Sequence, residues 1–225
     1  MKKLFILAII MIAVLVGCTA QPIEETPTQP VVETPIVEVD PSIVSFEALG
    51  ESIVWTTEAD KFTIVAPDQS VTLSIAQSFT ADQDVIMSVV ATPFINAGLD
   101  VSKLPVGLFV DGRLNYVTLL EGSNVYTNVN EAFADIVSLN PELVGYHAAL
   151  DHYGLSLQDG NVFEWASDVN TNDKDIVFVL NPQTLIDAGA NVEAVEGWLF
   201  AEVEIMQADG SMKMVAKLLK PFELN

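Results

Sequence analysis

Basic residues are scarce in this sequence. Its 225 residues include a single arginine, Arg113, and eight lysines against 31 aspartates and glutamates, which gives a formal charge of −22. A surface this negative repels the phosphates of nucleic acids and does not attract anionic lipid headgroups. We therefore exclude nucleic acid as a partner and expect that a membrane would be reached by some means other than a basic patch.

Cysteine is scarcer still, since Cys18 is the only one. One thiol cannot form an intramolecular disulfide, a Cys-x-x-Cys motif or a thiolate zinc cluster. The sequence also has no Gly-x-Ser-x-Gly and no His-Glu-x-x-His motif, which are signatures of hydrolases and metalloproteases. Its carboxylates are too numerous for one catalytic pair to be distinguished. We predict that the protein is not an enzyme.

The N-terminus has the composition of an export signal. Two lysines precede an apolar run of 13 residues at positions 4–16, which is shorter than the roughly 20 residues that span a bilayer but suits the core of a signal peptide. Leu-Val-Gly-Cys at positions 15–18 resembles the lipobox of prokaryotic lipoprotein signals at every position. The resemblance covers only the first 18 residues. It implies removal of residues 1–17 and acylation of Cys18 with diacylglycerol and fatty acids such as palmitate.

The segment after the lipobox predicts an extended tether. Residues 19–41 contain five prolines, five acidic residues and no glycine, a composition that favours extended chain over a folded unit. At about 3 Å per residue it could hold a domain up to roughly 70 Å from the bilayer. We therefore predict an extracytoplasmic protein anchored by lipid, with residues 18–41 as anchor and tether. The mature chain has a formal charge of −24, because the signal removes two lysines.

The remaining sequence contains an internal repeat. A shift of 91 positions aligns residues 51–109 with residues 142–200 without a gap and gives 13 identical pairs, among them Asp60/Asp151, Asp84/Asp175 and Gly98/Gly189. After an insertion of seven residues, Asp111-Gly112 corresponds to Asp209-Gly210. We interpret the pattern as a tandem duplication. Coincident strand spacing is the alternative.

Each copy has the pattern of β-structure. In the first copy, short β-branched runs are separated by Asp, Pro and Ser, and a helical turn runs from Thr92-Pro93 to Gly98. Asp111-Gly112 then predicts a hairpin. The order is typical of an immunoglobulin-like fold. We therefore predict an all-β protein of two tandem immunoglobulin-like β-sandwich modules, residues 42–130 and 131–225, each with a short helical turn.

One loop of the second copy predicts a calcium site. It has oxygen-bearing side chains at nearly alternate positions, as a hard cation such as calcium prefers. The candidate ligands are Asp168, Asn170, Asn172, Asp173 and Asp175. The loop lacks the glycine and the final glutamate of an EF-hand, so an ordinary loop rich in Asn and Asp is the alternative. No other cofactor is expected.

Further candidates for a binding site are Trp165 and the two histidines. Trp165 aligns with Ser74 in the repeat and is the aromatic residue that we predict to meet a ligand, although a place in the core is the alternative. His147 and His152 lie close in sequence, but two ligands fall short of the three that a zinc site needs. We therefore favour a structural role for the histidines.

These features favour a membrane-anchored lipoprotein that acts as a binding or envelope-architecture module. The membrane is expected as a partner through the lipid, together with a protein or glycan ligand that the sequence does not identify. Two alternatives stay open: a glycan-active hydrolase that uses a carboxylate pair, and a lipoprotein that captures a solute in a pocket.

Overall fold

The strands of the protein form two antiparallel sheets, one from each half of the chain. The computed structural model describes residues 39–168, 175–206 and 210–223. Cys18 and the tether as far as residue 38 lie outside these ranges, so lipidation at Cys18 and an extended tether stay predictions. Within the described ranges, no helix has both the length and the apolar character needed to cross a bilayer.

The first half begins with a helix and continues with six strands. Its elements are α1 (Pro41–Ser52), β1 (Thr56–Glu58), β2 (Lys61–Val65), β3 (Val71–Ala76), β4 (Val85–Val90), α2 (Thr92–Asn96), β5 (Phe109–Val110) and β6 (Arg113–Thr118).

The second half repeats this order. Its elements are α3 (Val129–Leu139), β7 (Val144–His147), β8 (His152–Ser156), β9 (Val162–Ala166), β10 (Ile176–Leu180), α4 (Gln183–Asp187), β11 (Leu199–Met206) and β12 (Met212–Phe222). The predicted junction between residues 130 and 131 lies in the first turn of α3.

Both sheets have six strands with the same order. The first sheet runs β1-β2-β3-β4-β6-β5, and the second runs β7-β8-β9-β10-β12-β11. The protein is therefore mostly β, as predicted. An immunoglobulin-like module divides its strands between two sheets, whereas all the described strands of each half belong to one sheet. The predicted immunoglobulin-like topology is not confirmed.

The strand pairing refines the alignment of the two halves. The offset of 91 residues holds for β2/β8, β4/β10 and α2/α4. It is 90 in β3/β9, because Lys61 pairs with Ala76 while His152 pairs with Ala166. It becomes 104 in the last strands, since Phe109 pairs with Leu114 while Phe200 pairs with Leu218. The difference reflects a longer β11–β12 hairpin.

Each half places a helix against the sheets. Pro41 begins α1, and the carboxylate of Asp40 accepts a hydrogen bond from the Ser42 N–H at 2.9 Å, as an N-cap does. The rings of Phe46 in α1 and Phe133 in α3 stack with their centroids 4.0 Å apart. Both rings meet the indole of Trp165 in β9 edge-on. The two halves therefore share one hydrophobic core.

The halves also meet at a pair of glycines. The Asp100 N–H donates to the Ala188 carbonyl at 3.0 Å, and the Asn191 N–H donates to the Ala97 carbonyl at 2.8 Å. The two bonds are equivalent in the repeat, because Asp100 and Asn191 are 91 residues apart, as are Ala97 and Ala188. Between them lie Gly98 and Gly189, with φ of 99° and 98°, as expected for residues that end a helical turn. The contact is reciprocal, like that around a two-fold axis.

Candidate binding site on the outer face of the second sheet

A pocket of about 360 Å³ opens on the outer face of the second sheet. Its polar side is formed by Asp151, His152, Glu164 and Asp168. The rest of the described lining is apolar and comes from several strands and one turn: Leu150, Ala166, Val177, Leu199, Leu219 and Pro221. The described lining includes no phenylalanine, tyrosine or tryptophan, the rings on which sugars usually stack.

The two histidines are brought together by the β7–β8 hairpin. Val144 pairs with Leu155, and the pairing continues until His147 lies directly opposite His152. Side chains that face each other across an antiparallel pair have Cβ atoms about 4.5–5.5 Å apart. The imidazoles therefore lie side by side on the outer face, while Tyr146 and Tyr153 form the adjacent pair with ring centroids 5.1 Å apart.

Glu164 lies between the two histidines on the next strand. Its Oε1 is 3.9 Å from Nδ1 of His147, and its Oε2 is 3.9 Å from Nδ1 of His152. Both distances exceed the length of a direct hydrogen bond. A second, shallower pocket of about 250 Å³ includes His147 and Glu164 as well as Gly145 and Gly154. Glu164 thus separates two open spaces, each with an imidazole.

His152 is a buried polar side chain with an unsatisfied nitrogen. The residue is only 8% exposed, and its Nδ1 has no hydrogen-bond partner. Most buried side-chain nitrogens and oxygens are hydrogen-bonded, because leaving one unpaired costs about 1–3 kcal/mol. His152 also lines the pocket, so a ligand bound there would have this unpaired nitrogen close by.

Asp151 is held in place at the edge of the pocket. Its Oδ1 accepts hydrogen bonds from the Tyr146 hydroxyl at 2.6 Å and from the Ser167 hydroxyl at 2.7 Å. These two bonds, the first the larger effect, lower the pKa of the Asp151 carboxyl below its usual value. The residue has a φ of 54°, a conformation that Asp tolerates better than most residues. Asp151 is therefore a fixed anion at neutral pH.

A lysine, Lys217, lies close enough to Glu164 for their charges to interact. The ammonium of Lys217 donates to the Gly160 carbonyl at 2.8 Å. Burial lowers the pKa of Lys217, and the charge of Glu164 acts in the opposite direction. Lys217 therefore offsets part of the negative charge around Glu164 without making a direct ion pair with it among the described contacts.

The equivalent face of the first sheet has a different chemistry. The strand pairing places Glu58, Lys61 and Ser74 where the second sheet has His147, His152 and Glu164. There the Ser74 hydroxyl is hydrogen-bonded to that of Thr63 at 2.8 Å. The histidine site is therefore particular to the second half.

Imidazole and carboxylate groups in this arrangement could bind a cation or hydrogen-bond a polar ligand. As the described side chains stand, no group of three or more His, Cys, Asp or Glu residues has the spacing of a metal centre. His147, His152 and Glu164 lie close together, with two nitrogen-to-oxygen separations of 3.9 Å that end at different oxygens of Glu164.

The predicted calcium loop is described only in part. Asn170, Asn172 and Asp173 lie outside the described residues. Asp168 is exposed and contributes to the pocket, whereas Asp175 is fully buried immediately before β10. Asp175 occupies the position of Asp84, whose carboxylate binds the loop backbone in the first half. Calcium binding by this loop stays a prediction.

Trp165, the predicted ligand-binding aromatic, lies in the core. None of its surface is exposed, and its indole N–H donates to the Ser45 hydroxyl at 3.0 Å. The offset of 90 residues places it opposite Ile75 rather than Ser74. An inward position therefore follows from the register, and in this position Trp165 cannot reach a ligand in solution.

The histidine pair is the feature that sequence reasoning missed. Placed on a helix, the two residues point about 140° apart, whereas in a hairpin they face each other. The signal that could have found the pair was the repeat itself. Asp151 and Asp60 both precede a strand and both have positive φ, which marks the 148–151 segment as a turn.

The chain matches no protein-family model, no curated protein and no solved structure.

Proposed function

We propose that the protein is a non-enzymatic binding module of the cell envelope, anchored by lipid at Cys18, that binds a ligand in the pocket beside His152. The observation that carries the proposal is the pocket itself, whose lining includes His152, a buried residue whose Nδ1 has no hydrogen-bond partner.

The order of segments supports display at a membrane surface. A lipidated Cys18 followed by the acidic, proline-rich residues 19–41 would carry the folded part away from the bilayer. Stable anchoring needs two or three acyl chains, which the lipobox resemblance implies. The strongly negative charge would keep the body in solvent rather than on anionic headgroups.

A tandem duplication is the origin that we propose for the body. The recurrence of helix, six strands and helical turn, with equal sheet orders and reciprocal contacts at Gly98 and Gly189, supports it. After duplication one outer face could change while the other kept a plain polar surface. An immunoglobulin-like ancestor is not part of the proposal, since the described strands of each half form one sheet.

The geometry gives little support to the alternative of a glycan hydrolase. The general acid of such an enzyme needs a raised pKa, whereas hydrogen bonds lower the pKa of Asp151. A hydrolase would also bind its sugar substrate more readily with a phenylalanine, tyrosine or tryptophan ring in the pocket, and the described lining has none of the three.

Anchoring is tested by replacing the acylated residue. We expect the full-length chain to be recovered in the membrane fraction of a bacterial host that processes lipoproteins, with a mass that matches acylated Cys18 after loss of residues 1–17. The Cys18→Ser variant should leave the membrane fraction when the envelope is opened, or stay as an unacylated precursor. A wild-type chain without lipid would contradict the proposal.

A further inference from the structure

We infer that the pocket beside His152 binds a small organic cation, with an ammonium group at the end of a short apolar chain. The inference rests on the proposed function, because it uses the same pocket and names the class of its ligand. The pocket volume of about 360 Å³ lies at the lower end of the range for small-molecule sites. The distribution of charged and apolar side chains in the lining indicates the class.

The strand pairing gives the order of these side chains across the sheet. Val177 in β10 pairs with Glu164 in β9 on one side and with Pro221 in β12 on the other. Leu219 pairs with Leu199 on the edge strand β11. Neighbouring strands are about 4.8 Å apart, so the apolar part of the lining begins one strand from Glu164 and ends roughly 14 Å from it. The described lining from β10, β12 and β11 contains no charged residue.

The acidic side of the pocket suits a cation. The Glu164 side chain is only 13% exposed, and both imidazoles beside it are 3.9 Å from its oxygens. Among the described residues, no donor lies within hydrogen-bonding distance of this carboxylate. A mostly buried carboxylate without a direct donor is unfavourable, and an ammonium group in the pocket would supply donors. Asp151 adds a second negative charge, which the hydroxyls of Tyr146 and Ser167 hold in place.

The charges around the pocket favour a cation over an anion. The described lining has three carboxylates, with Asp168 at its exposed edge, and no lysine or arginine. The charge of Lys217 reaches Glu164, but its ammonium donates to the Gly160 carbonyl. The apolar side of the pocket distinguishes an organic cation from an inorganic one, because only an apolar chain gains free energy from burial there.

The test compares ligands that differ in charge or in length. The ¹⁵N-labelled chain from residue 19, without an affinity tag, is titrated separately with hexylammonium, hexanol, hexanoate and methylammonium at pH 7 and constant ionic strength. We expect hexylammonium to shift the backbone amides of residues 150–152, 164–166 and 177 in a saturable way. Its dissociation constant should be lower by a factor of about ten or more than that of each other ligand, because only hexylammonium matches both sides of the pocket.

Matched variants locate the binding. Glu164→Gln keeps the shape of the side chain without its charge and should weaken hexylammonium binding by a factor of about five or more. Leu199→Ala shortens an exposed apolar side chain and should weaken it by a factor of about three. Asp60→Asn removes the carboxylate that corresponds to Asp151 in the first half and should leave the affinity unchanged. Thermal unfolding of each variant verifies that it folds.

The inference is overturned if hexylammonium shifts none of the pocket amides, or if it binds the Glu164→Gln variant as tightly as the wild type. It is also overturned if hexanol or hexanoate binds in the pocket as tightly as hexylammonium. That last result would leave the pocket as the binding site of another class of ligand, and the proposed function would stand. The anchoring experiment uses none of these ligands, so a chain without lipid would contradict the proposed function and leave this inference intact.

Discussion

Buried carboxylates show how single residues position the loops of this fold. Asp84 has no exposed surface, yet it has no cation beside it among the described residues. Its Oδ1 accepts from the Thr80 N–H at 2.9 Å and its Oδ2 from the Leu120 N–H at 2.8 Å. One side chain thus joins the loop before β4 to the segment after β6. The repeat of Asp84 as Asp175 indicates a similar structural role in the second half.

The Asp84→Asn variant should be destabilised. The amide keeps one acceptor oxygen but presents an NH₂ group to a backbone N–H, so one buried donor loses its partner. We expect the free energy of unfolding in urea to fall by about 2–4 kcal/mol. Asp82→Asn, in the exposed part of the same loop, should change it by less than about 0.5 kcal/mol. Equal effects of the two variants would contradict this role for Asp84.

The ion pair between Lys220 and Asp68 predicts that the stability of the protein depends on pH. The ammonium of Lys220 is mostly buried and contacts Asp68 Oδ2 at 2.7 Å, with the Trp198 ring centroid 5.6 Å away. Burial alone would raise the pKa of Asp68, but hydrogen bonds from Lys220 and Ser70 outweigh it, and the pKa is lowered. The stabilisation is therefore complete above the unfolded-state pKa of about 4 and is lost as the pH falls through the lower folded-state pKa.

Asp68→Asn should destabilise the protein at pH 7 by about 1–2 kcal/mol, less than for a fully buried pair because Asp68 is half exposed. The difference from the wild type should shrink as the pH falls from about 4 through the lower folded-state pKa, below which Asp68 is protonated in both states. Urea unfolding at several pH values measures it. Adding Lys220→Met should recover part of the lost stability at pH 7, and a constant difference at every pH would count against the ion pair.

At the residue scale, the sequence predicted positions that depend on local geometry. Asp111 and Gly112 have φ of 50° and 78°, as a type I′ turn requires, and this prediction is confirmed. The environment of Trp165 could not be predicted, because a one-residue difference between the β2–β3 and β8–β9 turns moves every β9 side chain to the opposite face. A gapless alignment contains no information about such a shift.

At the scale of elements, the two halves contact each other where the short helical turns α2 and α4 end. Thr92-Pro93 predicts α2, and Asn181-Pro182 in the second copy predicts α4 in the same way; both are present with a glycine after them. The sequence did not predict that Gly98 and Gly189 would meet. A Cβ atom at Gly98 would lie 3.2 Å from the Gly189 carbonyl oxygen. The glycines therefore permit both the turn and the contact between the halves.

The Gly98→Ala variant separates these two effects when it is compared with Gly107→Ala. Both glycines have φ near 90°, but a Cβ at Gly107 would meet nothing within 4 Å. We expect about 1 kcal/mol of destabilisation for Gly107→Ala from backbone strain alone. Gly98→Ala should cost about 1–2 kcal/mol more, since it also disturbs a packed contact. Urea unfolding gives both values, and equal costs would show that the close approach is unimportant.

The helix that opens each half was harder to predict than the strands. The β-branched composition of residues 52–57 favours a strand, but α1 continues to Ser52 and β1 starts only at Thr56. The buried residues of α1 include Ser42 and Ser45 as well as Phe46 and Leu49. Because two of its four buried positions are polar, the apolar period of a helix is weak in this sequence.

At the scale of the whole molecule, alternation within strands predicted the β class but not the sheet to which each strand belongs. The face of a strand follows from its own residues, whereas its neighbours depend on the global topology. The body was expected as two modules with separate cores. In the described residues, one sheet from each half instead packs on a shared core. Local patterns of apolar and polar residues do not distinguish this arrangement from two separate sandwiches.

A shared core also gives a reason for the asymmetry of the two outer faces. Because both sheets contribute their inner faces to stability, either outer face is free to change. The first keeps Glu58, Lys61 and Ser74, and the second has the histidines and Glu164. The outer face of the second sheet is the binding surface that we propose.

A backbone amide chemical-shift map tests this claim most directly. The ¹⁵N-labelled chain from residue 19 is screened against a library of small polar fragments, each added in excess. For the fragments that bind, we expect the largest shifts in Val144–His147, His152–Ser156 and Val162–Ala166, with the strands of the first sheet unchanged. Shifts confined to the acidic tether or spread over the first sheet would contradict it.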